Sequence, residues 1–157
     1  MILNRTILTL GLATALLQMP VSVSAQGSGT SRTNPLLQKS SLPFGAPDFS
    51  RIQESDYLPA IEAAIKMQRA NIQKIVDNKK KPTFANTILA FEESGVVLDR
   101  ISNVFFGLTG ANKTPLIADT ENKVMPLLID LENEISFNQQ LFTRIKYVYD
   151  NEFKKLK

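Results

Sequence analysis

The chain has 157 residues, no cysteine, no histidine and a formal net charge of +3 at pH 7. That length suits one domain with a modest core, and the missing cysteines exclude a small disulfide-stapled scaffold. Without imidazole or thiolate the chain lacks the donors on which nearly all zinc sites depend, the commonest general base, cysteine nucleophiles and Ser-His-Asp triads.

Residues 1–25 read as a secretory signal. Arg5 supplies the positive start, residues 7–17 are almost unbrokenly apolar, and Val23-Ser24-Ala25 offers small or modest side chains to a signal peptidase. Cleavage is expected between Ala25 and Gln26, which places the mature chain in a secreted compartment. An apolar run of about a dozen residues is too short to span hydrocarbon, which takes roughly 20. No cysteine follows the cleavage point, which argues against a lipoprotein anchor, so no membrane contact is expected after processing. Removal of Arg5 leaves the mature chain close to charge balance, a poor match to nucleic acid.

Residues 26–33 are mostly Gly, Ser, Thr and Gln, the composition of a flexible lead-in. Residues 34–49 carry Pro35, Pro43 and Pro47 among Leu36, Leu37, Leu42, Phe44 and Phe49. Proline fixes its own φ and pushes the preceding residue toward extended backbone, so this stretch predicts an extended arm lying on an apolar surface.

Four helices are predicted to follow. The first starts after Glu54-Ser55-Asp56 with Pro59 in its first turn, and sets Ile61, Ile65, Ile72, Ile75 and Val76 on one side. Asn78 and Lys79-Lys80-Lys81 end it, with the lysines at the negative end of the helix dipole, and Pro82 enforces the stop. The second is capped by Thr83 and carries Phe84, Ile88, Phe91, Val96, Leu98, Ile101, Phe105 and Leu108. Gly95 lowers its helix propensity by about 1 kcal/mol relative to alanine and admits close approach of another helix. Phe105 belongs to the core stripe, whereas Phe106, about 100° away, could meet a second partner. Gly107 and Gly110 loosen the end of this helix.

Thr114-Pro115 opens the third helix as N-cap and first helical residue. Its apolar face is Ile117, Val124, Leu127, Leu128, Leu131 and Ile135, and Pro126 inside the pattern predicts a kink or a break. Asn138 caps the fourth, which carries Leu141, Phe142, Ile145, Val148, Tyr149, Phe153 and Leu156 to the terminus without a stop signal. An apolar stripe left unfinished there suggests that a partner surface, or the rest of a larger protein, is missing. Alternating strand patterns are absent, so the fold class is all-α.

The remaining motifs predict no chemistry. Glu92-Glu93, Asp130, Glu132 and Glu134 fit the polar side of amphipathic helices. Gly107-Leu108-Thr109-Gly110 lacks the lysine and the strand-to-helix context of a phosphate loop, and the glycosylation pattern Asn112-Lys113-Thr114 is followed by Pro115. No catalytic, cofactor-binding or metal-binding residue is expected anywhere in the chain.

The order of short motifs carries more information. Asn34-Pro35-Leu36-Leu37, Ser41-Leu42-Pro43, Ala46-Pro47-Asp48-Phe49, Ile52, Tyr57, Pro59-Ala60 and Pro82-Thr83-Phe84 come first. Asn86-Thr87-Ile88, Leu89-Ala90-Phe91-Glu92-Glu93-Ser94-Gly95, Leu98, Arg100, Val104-Phe105-Phe106 and Leu141-Phe142-Thr143-Arg144 follow. Together they resemble the start of the thimet oligopeptidase family of zinc peptidases, and within it the peptidyl-dipeptidases. The resemblance implies a much longer, nearly all-helical enzyme of two lobes around a deep channel, which removes dipeptides from the free C-termini of short peptides. It implies zinc held by a helix bearing H-E-x-x-H and by a downstream glutamate. That helix is not in this sequence, so no catalytic or metal residue transfers to it. The implied role of these helices is shell and access control, with the missing catalytic region as partner. The alternative is a stand-alone periplasmic helical binding or scaffold module.

Overall fold

The structure, a computed structural model, describes residues 32–153. The expected cleavage point at Ala25 and Gln26, and Leu156 at the other end, lie outside the described residues. Everything within them is helix or turn, with no strand among the described residues.

Helix α1, Tyr57–Val76, is the hub of the fold. A 3-10 turn, Glu54–Asp56, leads into it, and the Asp56 carboxylate accepts the Gln53 N–H at 2.7 Å. That bond satisfies a donor that the helix start would otherwise orphan. The buried residues Tyr57, Ala60, Ile61, Ala64, Ile65, Ile72 and Ile75 recur at three- and four-residue steps. Small Ala60 and Ala64 let neighbours come close, and α1 packs against all four other α-helices. It ends at Val76, with Asp77 N–H still bonded to Gln73 and Asn78 N–H to Ile75. The lysine cluster therefore falls beyond the last turn and does not cap this helix. Lys81 instead stands over the ring of Tyr147, 5.6 Å from its centroid.

The second predicted helix is a line of helical turns in three pieces. Thr83 and Asn86 form a reciprocal cap, with the Thr83 hydroxyl accepting the Asn86 N–H at 3.2 Å and the Asn86 amide oxygen accepting the Thr83 N–H at 2.9 Å. A π-helical stretch, Phe84–Leu89, follows, then α2, Ala90–Ser94, then α3, Val96–Ala111. Gly95 joins the last two with helical angles, φ −98° and ψ −8°. A Cβ there would stand 2.9 Å from the Gln68 amide nitrogen of α1, so the predicted close helix approach is present. The wide π winding moves the predicted stripe. Thr87 is fully buried while Phe84 is exposed and Ile88 only half-buried. Val96 is also exposed, because five residues past Phe91 is about 140° around the helix. Gly107 and Gly110 do not loosen the end, since α3 runs through both.

Helix α4, Pro115–Ser136, starts with the Thr114 hydroxyl accepting the Ile117 N–H at 3.2 Å. It continues unbroken through Pro126, which lies on the exposed side. The carbonyl that loses its N–H partner there can be hydrated, so the proline is tolerated. After a two-residue turn, Asn138 accepts the Leu141 N–H at 2.9 Å and α5, Gln139–Glu152, begins.

The larger core is built on Tyr57, Ile61, Ile101, Phe105, Ile117 and Val124. The rings of Tyr57 and Phe105 are 5.3 Å apart, and Phe106 packs its edge against Phe105 at 5.2 Å, half-buried over the same core. A smaller cluster joins Ile72 and Ile75 to Leu141, with Phe91 and Ile145 at its border. No helix among the described residues is long and apolar enough to cross a membrane.

The arm differs from the extended segment predicted. It contains two single 3-10 turns, Pro35–Leu37 and Pro43–Gly45, each begun by a proline whose fixed φ suits a tight turn. Only Leu36 enters the core, whereas Leu42, Phe44 and Phe49 are exposed. Phe44 at φ 58° and Gly45 at φ 69° turn the chain back in the left-handed region. The arm is thus held at one apolar point, and hydrogen bonds do the rest.

Candidate functional site

The most developed polar constellations are three arginine clamps. Each ties a non-helical segment to a helix, for a physical reason: backbone oxygens outside helices need donors, and a guanidinium offers five in a rigid fork. Arg32 donates to Asp56 at 2.7 Å and to the Arg51 carbonyl at 2.9 Å. Beside it, the Asn34 side chain accepts from Leu36 N–H at 3.0 Å and donates to the Asp56 carbonyl at 2.8 Å. Arg100, on α3, donates to the Leu36 and Gln38 carbonyls at 2.9 and 3.1 Å, which fastens the arm where Leu36 enters the core.

Arg144, on α5, is the deepest of the three, with 9% of its surface exposed. It donates to the Asn78 carbonyl at 2.7 Å, to the Asn86 amide oxygen at 3.3 Å and to the Thr87 hydroxyl at 3.4 Å. Its Nε has no partner. The α1–α2 connection is thereby locked onto α5 by neutral acceptors, without a carboxylate bond. Several residues that carry the sequence resemblance, Asn34, Leu36, Tyr57, Asn86, Thr87, Arg100, Phe105 and Arg144, thus converge on these clamps and on the core they close. In this structure they hold backbone and fill volume.

The carboxylates are dispersed. Glu92, Glu93, Asp130 and Glu132 are exposed. Glu134 forms a two-pronged pair with Arg69 of α1, at 2.7 and 2.8 Å. The Arg69 hydrogen bond holds Glu134 below the ordinary carboxylate value of 4.5, and Glu134 in turn raises Arg69. Burial, then the charges of Asp56 and Glu54, push the Tyr57 phenol above its ordinary value of 10.0. Thr114, the last residue of the glycosylation pattern, spends its hydroxyl on the α4 cap and on a 2.8 Å bond to Glu54.

Zinc does not fit these residues. Histidine and cysteine are absent from the whole sequence, and no three acidic side chains among the described residues are grouped to hold an ion. The cavity between the arm and α3 has a volume of about 60 Å³, room for a few waters and far below the roughly 300 Å³ at which ligand pockets begin. A wider, open groove of about 440 Å³ lies between α1 and the Asn86–Ser94 stretch, lined by Asn71, Lys74, Asn86 and Glu93.

Sequence reasoning gave Arg32, Arg69 and Arg144 no structural role. A lone arginine carries no periodic signal, and its acceptors lie 19 to 66 residues away in the chain.

This all-helical chain has sequence relatives among peptidases. Dipeptidyl carboxypeptidase of Salmonella typhimurium is 38% identical over 117 residues, which is 74% of this chain and 17% of that protein. Dipeptidyl carboxypeptidase of Escherichia coli is 38% identical over 116 residues, again 74% of this chain and 17% of the relative. Oligopeptidase A of Escherichia coli stands further off, at 26% over 120 residues, 76% of this chain and 17% of its own length. No protein-family model matches the chain. Over the matched residues the chain is a homologue of the dipeptidyl carboxypeptidases and fits the peptidyl-dipeptidases of the thimet oligopeptidase family. It spans 17% of the length of the curated relatives it matches.

Proposed function

We propose that this chain is the non-catalytic N-terminal shell of a two-lobed, channel-bearing zinc metallopeptidase that releases C-terminal dipeptides from short peptides. The observation that carries the reading is a mismatch of extent: homology to dipeptidyl carboxypeptidases runs over 74% of a chain that spans only 17% of them. Hydrolysis in such a protein needs a metal-held water, and these residues offer no imidazole or thiolate donor for the metal. Their task is mechanical. The arginine clamps hold loops and helices in fixed register, and the helices wall off and control access to a site supplied by other polypeptide.

Export is part of the proposal, with cleavage between Ala25 and Gln26 and release into the periplasm. N-terminal sequencing of the exported product should begin at Gln26.

The test of function uses the complete gene product. Genomic DNA should encode an in-frame H-E-x-x-H beyond Lys157, and that protein should release dipeptides from blocked peptides until a chelator removes its zinc. A stop codon directly after Lys157 in the native gene would favour a stand-alone scaffold module instead.

A further inference from the structure

The apolar residues predicted to share one stripe of α5 lie on two faces. Leu141 and Val148 are buried with Arg144 against the rest of the fold. Phe142, Tyr149 and Phe153 turn outward, 57%, 62% and 50% exposed. At 100° per residue the three aromatics fall within about 40° of one another, roughly 120° from the buried side. The rings of Tyr149 and Phe153 already touch, 5.0 Å apart. Steps of seven and then four residues are the spacing with which one helix meets another along a seam. A helix apolar on two faces belongs between two layers, and the described residues provide one.

We infer that the Phe142–Tyr149–Phe153 face is the docking seam for an apolar helix from the remainder of the peptidase polypeptide. This inference rests on the reading proposed above. Area decides between that occupant and a second copy of the chain. Three half-exposed aromatic side chains offer roughly 300 Å², the size of an interaction patch, whereas a stable complex between separate molecules takes about 800 Å² from each partner. A tethered partner escapes that requirement, because its effective concentration reaches millimolar. Lys146, on the same side and paired with Asp150 at 2.6 Å, borders the seam with charge.

The natural lack of cysteine makes the face directly testable. Phe142→Cys, Tyr149→Cys and Phe153→Cys are made singly, with buried Leu141→Cys as the protected reference. Each is placed in the 157-residue chain and in the same segment grafted for its counterpart in the Salmonella typhimurium dipeptidyl carboxypeptidase. Maleimide labelling of the 142–153 region is followed by mass spectrometry, and dipeptide release is assayed in parallel.

The expected result is fast labelling in the short chain and labelling about tenfold slower or more in the graft, as burial commonly gives. Equal rates in both would overturn the seam, and retained activity in that graft would leave the functional reading standing. Slow, concentration-dependent labelling of the short chain would also overturn it, in favour of a second copy. Slow labelling in an inactive graft supports the seam and counts against the functional reading. If Leu141→Cys labels fast in the graft, the graft is unfolded. The aligned positions of the intact relative then give the same comparison, with slow labelling supporting the seam and fast labelling refuting it.

Discussion

Replacing Arg144 by methionine keeps the length of the side chain and removes the guanidinium, which isolates what the clamp contributes. The 2.7 Å bond to the Asn78 carbonyl is charge-assisted, worth about 1.5–3 kcal/mol. The contacts to Asn86 and Thr87 are long, 3.3 and 3.4 Å, and add on the order of 1 kcal/mol together. Against these stands the relief of no longer burying a charge whose Nε lacks a partner, about 1–2 kcal/mol. The balance predicts a net loss of about 2 kcal/mol for Arg144→Met. Arg144→Lys can keep the Asn78 contact but loses the fork, so it should fall about midway between wild type and methionine. Urea unfolding followed by circular dichroism measures both, with an unchanged slope showing that only stability moved. Hydrogen exchange should localise the loosening to the α1–α2 connection and the start of the π-helical stretch. A methionine variant as stable as wild type would refute the reasoning, because it would mean that the clamp merely compensates its own burial.

Other substitutions test other joints. Phe105→Ala removes a fully buried ring packed on Tyr57 and should destabilise by about 3–5 kcal/mol in the same assay. Asn34→Ala breaks the bonds to Leu36 and Asp56 and should lower stability by about 1–2 kcal/mol, with fast proteolysis confined to the arm. The Arg69–Glu134 pair should show in the acid limb. Because Glu134 is depressed when folded, its contribution is present above the ordinary glutamate value and is lost as pH falls through the folded one. Arg69→Met should therefore flatten acid destabilisation below about pH 4.5, an effect that salt also weakens. Tyr57 acts in the opposite sense. Its raised phenol favours the folded state up to pH 10.0 and stops doing so as pH rises through the folded value, so Tyr57→Phe should flatten the alkaline limb.

The fold was legible where chain chemistry is local. Thr83, Thr114 and Asn138 read as caps, and each side chain accepts the predicted backbone N–H. Apolar periodicity placed Ile61, Ile72, Ile101, Phe105, Ile117, Val124 and Leu131 in the core, where they are. Reading failed where a decision depends on distant partners. Thr87 is buried because Arg144, 57 residues on, reaches its hydroxyl, and the π winding that turns it inward has no sequence period. The break that Pro126 could have caused in α4 does not occur, because its exposed position lets the helix continue. The arm's leucines and phenylalanines looked alike, yet only Leu36 has a pocket, made by α1 and α3. On α5 one apolar stripe proved to be two, since a face without a visible partner has the same composition as a face with one. The candidate site was illegible as a set of clamps, because arginine contacts are set by tertiary geometry.

On the proposed function, bond breaking belongs to polypeptide other than these 157 residues. The most direct measurement incubates the purified chain with a blocked tripeptide, with and without added zinc, and follows dipeptide release by chromatography. Release should be no faster than in buffer under both conditions. Zinc-dependent turnover that copurifies with the chain and vanishes on chelation would contradict the proposal.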